Sequence, residues 1–391
     1  MSRAIYLDNH STTPCDPAVI DVMLPYFGDK FGNAASRTHT FGFEAKSAVE
    51  FAREQIGALI GSSPKEVIFT SGATESNNLA ILGLARKNEA KGRHIVTSAI
   101  EHKAVLDSCA YLAERGWEVT IVPVGSDGRV NPADVAKVLR RDTVVCSVMM
   151  ANNEIGTVQP IAEIGAACRE RDVLFHTDAA QSIGKLPVDV GALHVDLLSM
   201  SAHKMYGPKG IGALYVRRGR PRVRLEAVIH GGGHERGMRS GTLPVPLIAG
   251  MGKAAALSAD DLTSGAVEAL KGLRDRLWAG LQKIEGVSLN GSLQHRLPNN
   301  LNVSFSRVEA EALLMGIRSR VACSSGSACT SATLEPSYVL RATGISDELA
   351  HASIRFGVGR FNTAAEIDEA VEVITAKVAE LRAMSPLYGE V

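Results

Sequence analysis

Net charge, long apolar runs and regularly spaced cysteines are all missing from this chain of 391 residues. Lys plus Arg and Asp plus Glu both number 42, so no overall field favours nucleic acid or an anionic membrane surface. No apolar run reaches the length of a membrane span, and the N-terminus lacks the basic-then-apolar pattern of a signal peptide. We therefore expect a cytoplasmic protein that contacts neither nucleic acid nor membrane directly.

The spacing of the cysteines and histidines also gives little support for a disulfide framework or a metal site. The six cysteines contain no Cys-x-x-Cys pair and no regular spacing, so we expect mostly reduced, buried thiols. His230-Gly-Gly-Gly-His234 could suggest a metal, but its glycines prevent a helical face with two histidines, and no third ligand is evident. The sequence therefore predicts no resident metal.

A repeated order of strand, polar turn and helix runs from about residue 66 to residue 216. This pattern predicts an α/β fold with a mainly parallel, doubly wound sheet. In such sheets ligands bind at the carboxyl ends of the strands. Polar side chains that lie at predicted strand ends, or just beyond them, are Thr74, His102, Asn153, Asp178, Ser201, His203 and Lys204. Their convergence predicts one ligand site.

The turn Ser71-Gly72-Ala73-Thr74 joins a predicted strand to a predicted helix. Free backbone N–H groups and the positive end of the helix dipole make such a turn a natural phosphate seat. The turn matches neither a P-loop nor a Gly-x-Gly-x-x-Gly motif, and a plain helix cap is the alternative. Its position inside an α/β chain favours the phosphate seat.

Lys204 lies on a turn between two apolar runs, and Asp178 ends another apolar run. Partial desolvation and a neighbouring histidine would lower the pKa of such a lysine and free its amine for Schiff-base chemistry. A solvated loop lysine is the alternative for Lys204 taken alone. A strand-end lysine together with a strand-end carboxylate is the pair that pyridoxal 5′-phosphate (PLP) requires.

Three motifs carry a family resemblance: His-Thr-Asp178-Ala-Ala-Gln181-Ser, Ser201-Ala-His203-Lys204-Met-Tyr-Gly-Pro-Lys-Gly, and Ser-Ser-Gly-Ser-Ala-Cys329-Thr-Ser. With them the chain resembles the cysteine desulfurases, in the class V aminotransferase-like branch of fold-type I PLP enzymes. The resemblance runs from about Tyr6 to about Ile374. The long cysteine segment is similar to that of the housekeeping iron–sulfur-assembly and nitrogen-fixation type.

The resemblance implies a fold-type I PLP-dependent transferase with two domains. The large PLP-binding domain would comprise residues 15–261. A smaller α+β domain would comprise residues 1–14 and 262–391 and carry the cysteine loop at about 321–335. The glycine, serine and alanine content of that loop predicts mobility.

The resemblance also implies the cofactor contacts. Lys204 would hold PLP, Asp178 would keep its pyridine nitrogen protonated, and Gln181 would bond the ring oxygen. His102 would stack on the ring and move protons. Thr242 would reach the phosphate of the partner's cofactor in a homodimer. The remaining implied contacts to the cofactor are Ala73, Thr74, Asn153, Ser201 and His203.

The implied reaction removes sulfur from L-cysteine. Asn33 and Arg355 would bind the substrate carboxylate, and the thiolate of Cys329 would take the sulfur as a persulfide. Acceptors would be an iron–sulfur scaffold protein and other thio-cofactor or tRNA thiolation pathways, and Cys329 could transiently ligate an iron–sulfur cluster. Cys323 is the better candidate for a buried thiol.

Alternatives remain open at this point. A selenocysteine lyase or an aminotransferase on the same fold would also carry Lys204 and Asp178. A sulfur-carrier or scaffold protein that has lost PLP chemistry is the alternative from another class. A transaminase has no need of Cys329, and a carrier has no need of Lys204, so the residues favour the desulfurase.

Overall fold

The computed structural model describes residues 4–219, 222–325 and 335–384. The strands in these ranges are β1 (Ile5–Tyr6), β2 (Val67–Thr70), β3 (His94–Ser98), β4 (Glu118–Val122), β5 (Thr143–Ser147), β6 (Leu174–Asp178), β7 (Leu197–Ser201), β8 (Gly212–Val216), β9 (Val287–Leu289), β10 (Asn300–Phe305), β11 (Val321–Ala322) and β12 (Ser353–Gly357). The α-helices are α1 (Pro17–Met23), α2 (Thr40–Ile60), α3 (Ala73–Lys87), α4 (Lys103–Ala113), α5 (Pro132–Val138), α6 (Ile161–Glu170), α7 (Val245–Thr263), α8 (Ala266–Leu281), α9 (Ala310–Ile317), α10 (Tyr338–Ala342), α11 (Asp347–His351) and α12 (Ala364–Met384).

A seven-stranded sheet with the order β2-β8-β7-β6-β5-β3-β4 forms the centre of the fold. From β7 to β4 all neighbouring strands run parallel, whereas β8 runs antiparallel to both β2 and β7. Strand β5, with the sequence Thr-Val-Val-Cys-Ser, is buried along its whole length, which is typical of a parallel sheet covered on both faces. The expectation of a mainly parallel α/β sheet is confirmed.

Helices cover both faces of this sheet. Phe69 of β2 and Leu198 of β7 pack in one apolar layer with α2, α6 and α7. Their chain neighbours Ile68 and Leu197 pack in the opposite layer with α3 and α4. Successive side chains of a strand point to opposite faces, so each strand contributes to both layers. The sheet is therefore doubly wound, as the sequence predicted.

A smaller antiparallel sheet with the order β12-β10-β9 lies beside α8, α9 and α12. The chain start joins this core through Ile5 and Leu7, and β1 pairs in parallel with β11. These segments belong to the ranges 1–14 and 262–391 that the sequence assigns to the smaller domain. The division itself stays a prediction.

Strands β3, β5, β6 and β7 run parallel and therefore end at one edge of the sheet. The short 3₁₀ turn Ala202–Lys204 follows β7 at this edge, and helix α4 begins just beyond the end of β3. The fold thus brings together residues that are far apart in sequence. In the described ranges no helix is long and apolar enough to cross a membrane.

Candidate active site

A cavity of about 550 Å³ lies at the carboxyl edge of the large sheet, within the size range of small-molecule sites. Residues of the chain start and of β12 close it from the side of the smaller sheet. Most site residues predicted from the sequence line this cavity: Ala73, Thr74, His102, Asn153, Asp178, Gln181, Ser201, His203, Lys204 and Arg355. The structure therefore brings together the strand-end side chains that the sequence predicted to converge.

The turn between β2 and α3 forms one end of the cavity. Gly72 caps α3 with φ 156° and ψ 179°, a backbone conformation that side-chain-bearing residues rarely adopt. The first turn of α3, from Ala73 to Glu75, lines the cavity with the N-terminal end of the helix. A helix N-terminus with a partial positive charge is a suitable seat for phosphate.

Asp178 ends β6 and is buried. Its Oδ2 accepts a hydrogen bond from Nδ2 of Asn77 at 2.7 Å, and its Oδ1 accepts one from the backbone N–H of Ala180 at 2.9 Å. Asn77 lies on α3, so the phosphate turn and the carboxylate are fixed relative to one another. The sequence analysis did not find Asn77, because no local pattern links it to Asp178, 101 positions away.

Lys204 lies on the 3₁₀ turn after β7 and is partly buried. Its Nζ donates to the backbone carbonyl of Ser11 at 2.9 Å and to that of His10. The lysine is therefore held inside the cavity by the chain start rather than solvated on a surface loop. This geometry excludes the solvated-loop alternative for Lys204.

A second lysine, Lys185, lies beneath the same turn. Its Nζ donates to the backbone carbonyl of Lys204 at 2.9 Å. Burial, with Lys204 and Arg360 nearby, lowers the pKa of Lys185 to about 7. A buried lysine that fixes the backbone of Lys204 was missed by the sequence analysis, because nothing local distinguishes it from a surface lysine.

Gln181 and His10 form a buried pair at the wall of the cavity. Nε2 of Gln181 donates to the backbone carbonyl of His10 at 3.0 Å, which fixes the orientation of the amide. Oε1 of Gln181 therefore faces Nδ1 of His10 at 2.9 Å, so that nitrogen carries the proton. Burial, with Arg355 as the next cause, holds the pKa of His10 well below its ordinary value.

His102 both caps α4 and lines the cavity. Its Nδ1 accepts a hydrogen bond from the backbone N–H of Ala104 at 3.1 Å, so in the neutral ring the proton lies on Nε2. His102 is therefore the N-cap of α4, and this cap orients its ring at the cavity.

His203 lies beside Lys204, and its Nδ1 is 3.1 Å from the hydroxyl of Thr12. Burial, followed by the charge of Lys204, lowers the pKa of His203 to about 4. The ring is thus neutral at physiological pH. Ser201, at the end of β7, is buried and lines the same side of the cavity.

Arg355 reaches the cavity from β12 and is buried. Its Nη2 donates to Asp8 at 2.9 Å and to the hydroxyl of Ser11 at 2.7 Å, and its Nη1 donates to the backbone carbonyl of Asn153 at 3.1 Å. The guanidinium is therefore held in one orientation by the chain start and by the turn after β5. Asp8 was missed by the sequence analysis.

Two buried carboxyl groups lie in this region: Glu154 lines the cavity, and Glu101 is bonded to the lining residue Met149. Oε1 of Glu101 accepts from the hydroxyl of Ser98 at 2.5 Å and from the backbone N–H of Met149 at 2.8 Å. Burial raises the pKa of Glu101 to about 8, so it is largely protonated at neutral pH. Glu154 accepts from the hydroxyl of Ser337 at 2.5 Å, and burial raises its pKa as well.

Two described site residues that the sequence predicts do not line the cavity, and a third is not among the described residues. Asn33 is exposed, and its Oδ1 accepts from the backbone N–H of Ala35 at 2.9 Å. Thr242 is exposed in the loop before α7. Cys329 lies outside the described residues. Burial raises the pKa of the neighbouring described cysteine, Cys323, to about 12, so it is a poor thiolate.

The model of the family described as aminotransferase class-V matches residues 5–370. The chain belongs to the class V aminotransferase family. Within this family it is 60% identical over 389 residues to a protein of Anaeromyxobacter dehalogenans named cysteine desulfurase IscS, covering 99% of this chain and 96% of that protein. An Escherichia coli protein of the same name is 55% identical over 390 residues, with the same coverage.

Two solved structures resemble this chain over almost its whole length. A NifS-like protein matches with a TM-score of 0.90 and 37% identity, covering 97% of this chain and all 100% of that chain. The structure described as SspA in complex with cysteine matches with a TM-score of 0.80 and 38% identity. The match covers 93% of this chain and 100% of that chain. The resemblance to cysteine desulfurases that the motifs carried is therefore confirmed.

Proposed function

We propose that this class V enzyme is a cysteine desulfurase that converts L-cysteine to L-alanine and passes the sulfur on as a persulfide of Cys329. The single observation that carries the proposal is the placement of Lys204 and Asp178 in one cavity with Arg355, a group that can bind a carboxylate. The relatives named cysteine desulfurase IscS support the same activity, since they match almost the whole chain.

The residues around the cavity fit pyridoxal 5′-phosphate. The helix N-terminus at Ala73 and Thr74, together with Ser201 and His203, offers donors to a phosphate. Within the described part of the chain, Oδ1 of Asn153 and Nε2 of His10 are buried without a hydrogen-bond partner. Buried polar groups of this kind call for a partner, and a polar cofactor would supply one.

When bound, PLP supplies an electron sink for the carbanion formed at the α-carbon of the amino acid. Lys204 would hold the cofactor and, once displaced by substrate, remove the α-proton with its Nζ. Asp178, fixed by Asn77, would keep a proton on the pyridine nitrogen. The fixed amide of Gln181 would present an N–H group to the ring oxygen.

His102 would move protons around the step that breaks the carbon–sulfur bond. Its Nδ1 accepts the backbone N–H of Ala104, so in that neutral tautomer Nε2–H is the remaining donor of the ring. To accept a proton at Nε2 and return it, the ring would have to release this cap bond and carry a proton on Nδ1 instead.

Arg355 would bind the carboxylate of L-cysteine; Asn33, which does not line the cavity, would join it only if its exposed loop moved toward the cavity. The side chain of Arg355 is already oriented by Asp8, Ser11 and the carbonyl of Asn153. A guanidinium can bind a carboxylate through two N–H groups, a geometry that lysine cannot copy, but here Nη2 would have to exchange its bonds to Asp8 and Ser11 for bonds to the substrate. Asp8 would therefore compete with the substrate for Arg355.

Sulfur would leave through Cys329, whose thiolate attacks the substrate sulfur; the persulfide would then serve an iron–sulfur scaffold protein and other acceptors. The enzyme would act as a cytoplasmic homodimer in which Thr242 contacts the partner's cofactor. The exposure of Thr242 and its absence from the lining of its own cavity support that arrangement.

The proposal is tested by following both products from L-cysteine. The purified enzyme should carry visible absorbance and, with a reductant, release alanine and sulfide in equal amounts. Lys204→Ala should lose the absorbance and at least a thousandfold of the rate, since the amine that would hold the cofactor is gone. Alanine formation at the wild-type rate by Lys204→Ala would contradict the proposal, and a strong preference for L-selenocysteine would indicate a selenocysteine lyase.

A further inference from the structure

The loop that presents Thr242 is fastened to its own subunit at two points. We call residues 229–242 the threonine segment. Glu235 and Arg236, in the middle of this segment, have φ values of 47° and 59°, in the left-handed region that non-glycine residues rarely adopt. Such a conformation persists only where the surrounding contacts hold it.

The first fastening is a buried ion pair. Nη1 of Arg53, on α2, donates to Oε2 of Glu235 at 2.9 Å, and Nη2 of the same guanidinium donates to Oε1. The backbone N–H of Phe69 donates to Oε2 of Glu235 at 2.7 Å. Phe69 belongs to β2, the strand that leads into the phosphate turn. This contact holds the middle of the threonine segment against the large sheet.

The second fastening reaches the phosphate turn itself. Nε of Arg239 donates to Oε1 of Glu75 at 2.7 Å, and Nη2 donates to Oε2 at 3.1 Å. Oε2 of Glu75 also accepts the backbone N–H of Ser71 at 2.8 Å. Glu75 lies in the first turn of α3 and lines the cavity. Arg239 therefore holds the turn that would receive the cofactor phosphate.

The charge of Arg239 matters as much as its geometry. Without that guanidinium, the carboxylate of Glu75 would stand beside the seat of a phosphate dianion and repel it. The ion pair is only partly exposed, with 17% and 15% of the two side chains accessible, so solvent screens it less than a surface pair. The pair thus holds the phosphate turn in place and neutralises the charge of Glu75.

Thr242 follows Arg239 by only three residues and is exposed. We propose that Arg239 is a positioning residue for both phosphate seats of the dimer: it holds its own phosphate turn through Glu75 and fixes Thr242 for the partner's seat. The proposal rests on the cofactor and the homodimer proposed above. It makes residues 239–242 a short physical link between the two active sites.

Mixed dimers separate the two effects of Arg239. In the first, one chain carries Lys204→Ala and Arg239→Gln and the other is wild type, so only the wild-type chain gives visible absorbance with PLP. In the proposed dimer, the cofactor of the wild-type chain is contacted by Thr242 of the chain that carries Arg239→Gln. We expect PLP to bind the wild-type site about tenfold more weakly than in a dimer whose first chain carries Lys204→Ala alone, a loss of about 1.4 kcal/mol. Equal affinity in the two mixed dimers would overturn the proposal.

In the second mixed dimer, Lys204→Ala is on one chain and Arg239→Gln on the other. Only the Arg239→Gln chain keeps Lys204 and gives visible absorbance, and its Glu75 has lost the ion pair with Arg239. The affinity of this site for PLP should again fall about tenfold. Adding Glu75→Gln to the Arg239→Gln chain should restore most of the affinity, because the repelling charge is gone. An Arg239→Gln site with wild-type affinity would overturn the proposal.

A matched control is the exposed pair of Arg276 with Asp368, at 2.5 and 2.6 Å, which does not line the cavity. Arg276→Gln should leave PLP affinity unchanged, and sedimentation velocity should show intact dimers throughout.

If Arg239→Gln does not fold, Arg239→Lys is the second variant. It keeps the positive charge but loses the two-nitrogen contact with Glu75, and it should weaken PLP binding at the partner's site. Wild-type PLP affinity at the partner's site in the Arg239→Lys mixed dimer would overturn the proposal. A wild-type chain without visible absorbance would instead refute the cofactor, which distinguishes the two failures.

Discussion

At the scale of single residues, the neighbours of Lys204 and Asp178 decide their chemistry. Lys185 fixes the backbone of Lys204 from below, and Asn77 fixes the carboxylate of Asp178. His10 holds the amide of Gln181 in one orientation. These supporting residues are buried, and each is hydrogen-bonded to the residue that it positions, so the groups proposed to touch the cofactor are held in place before it binds.

Glu101 should make the stability of the protein depend on pH. The native protein keeps the proton of Glu101 up to about pH 8, whereas the ordinary pKa of such a carboxyl is 4.5. Between these values the native state binds more protons than the unfolded chain, so this group lowers the free energy of unfolding as the pH rises. The slope is at most about 1.4 kcal/mol per pH unit.

Glu101→Gln removes this titration and should flatten the decline between pH 6 and pH 8, measured by urea unfolding of the protein at each pH. The exposed Glu285→Gln is the control and should keep the wild-type slope. A Glu101→Gln protein whose stability changes with pH as steeply as the wild type would show that Glu101 is ionised in the native state.

At the scale of elements, the phosphate turn depends on a glycine of the neighbouring strand. Gly212 begins β8, and a Cβ atom added there would lie 2.6 Å from Cα of Gly72 and 2.6 Å from the carbonyl oxygen of Met200. Both are backbone atoms, so the turn would have to move. The close approach of β8 to the turn is thus possible only with glycine at this position.

Gly212→Ala should therefore weaken PLP binding about tenfold and lower the free energy of unfolding by roughly 1–3 kcal/mol, as overpacking does. The measurements are a PLP titration and a denaturant curve. Gly272→Ala, in α8, is the control: nothing lies within 4 Å of its added Cβ, and it should stabilise the protein by roughly 0.5–1 kcal/mol. Unchanged PLP affinity in Gly212→Ala would show that the turn accommodates the methyl group.

Elements with a strong local pattern could be predicted from the sequence. The sequence predicts a strand over Asn300–Phe305 and a helix over Ala310–Ile317, and β10 and α9 have these bounds. The sequence predicts a helix over 254–283 with an interruption near 260–264. The structure has α7 and α8 with a break at Gly265, φ 86°, just beyond the predicted interruption, but α7 begins at Val245, nine residues earlier than predicted. Local spacing and glycine were sufficient in these cases because the signal lies within a few residues.

The candidate site was predictable only in part. Residues at strand ends, such as Asp178 and Lys204, could be found because parallel strands gather their ends at one edge. His10 could not be found, since its partner Gln181 is 171 positions away and neither residue marks the other. The same holds for Asp8 beside Arg355, which depends on how the chain start packs against β12.

At the scale of the whole molecule, the account predicts that two subunits share their active sites. Chains carrying Lys204→Ala and chains carrying Thr242→Ala can be mixed and allowed to exchange subunits. In a mixed dimer with shared sites, one site is intact and the other carries both lesions, so activity should return to about half of the wild-type value per dimer. If each subunit used its own Thr242, no site would be intact and mixing would restore nothing.

The fate of the substrate sulfur tests the central claim most directly. Wild-type enzyme incubated with L-cysteine, without a reductant, is digested and its cysteine peptides are measured by mass spectrometry. We expect one additional sulfur on the peptide with Cys329, removed by a reductant, and none on Cys323, because burial raises the pKa of that thiol to about 12. Cys329→Ser should bind L-cysteine yet release no sulfide, whereas Cys323→Ser should stay active. Alanine accumulating without a persulfide on Cys329, or a persulfide on Cys323 instead, would contradict the account.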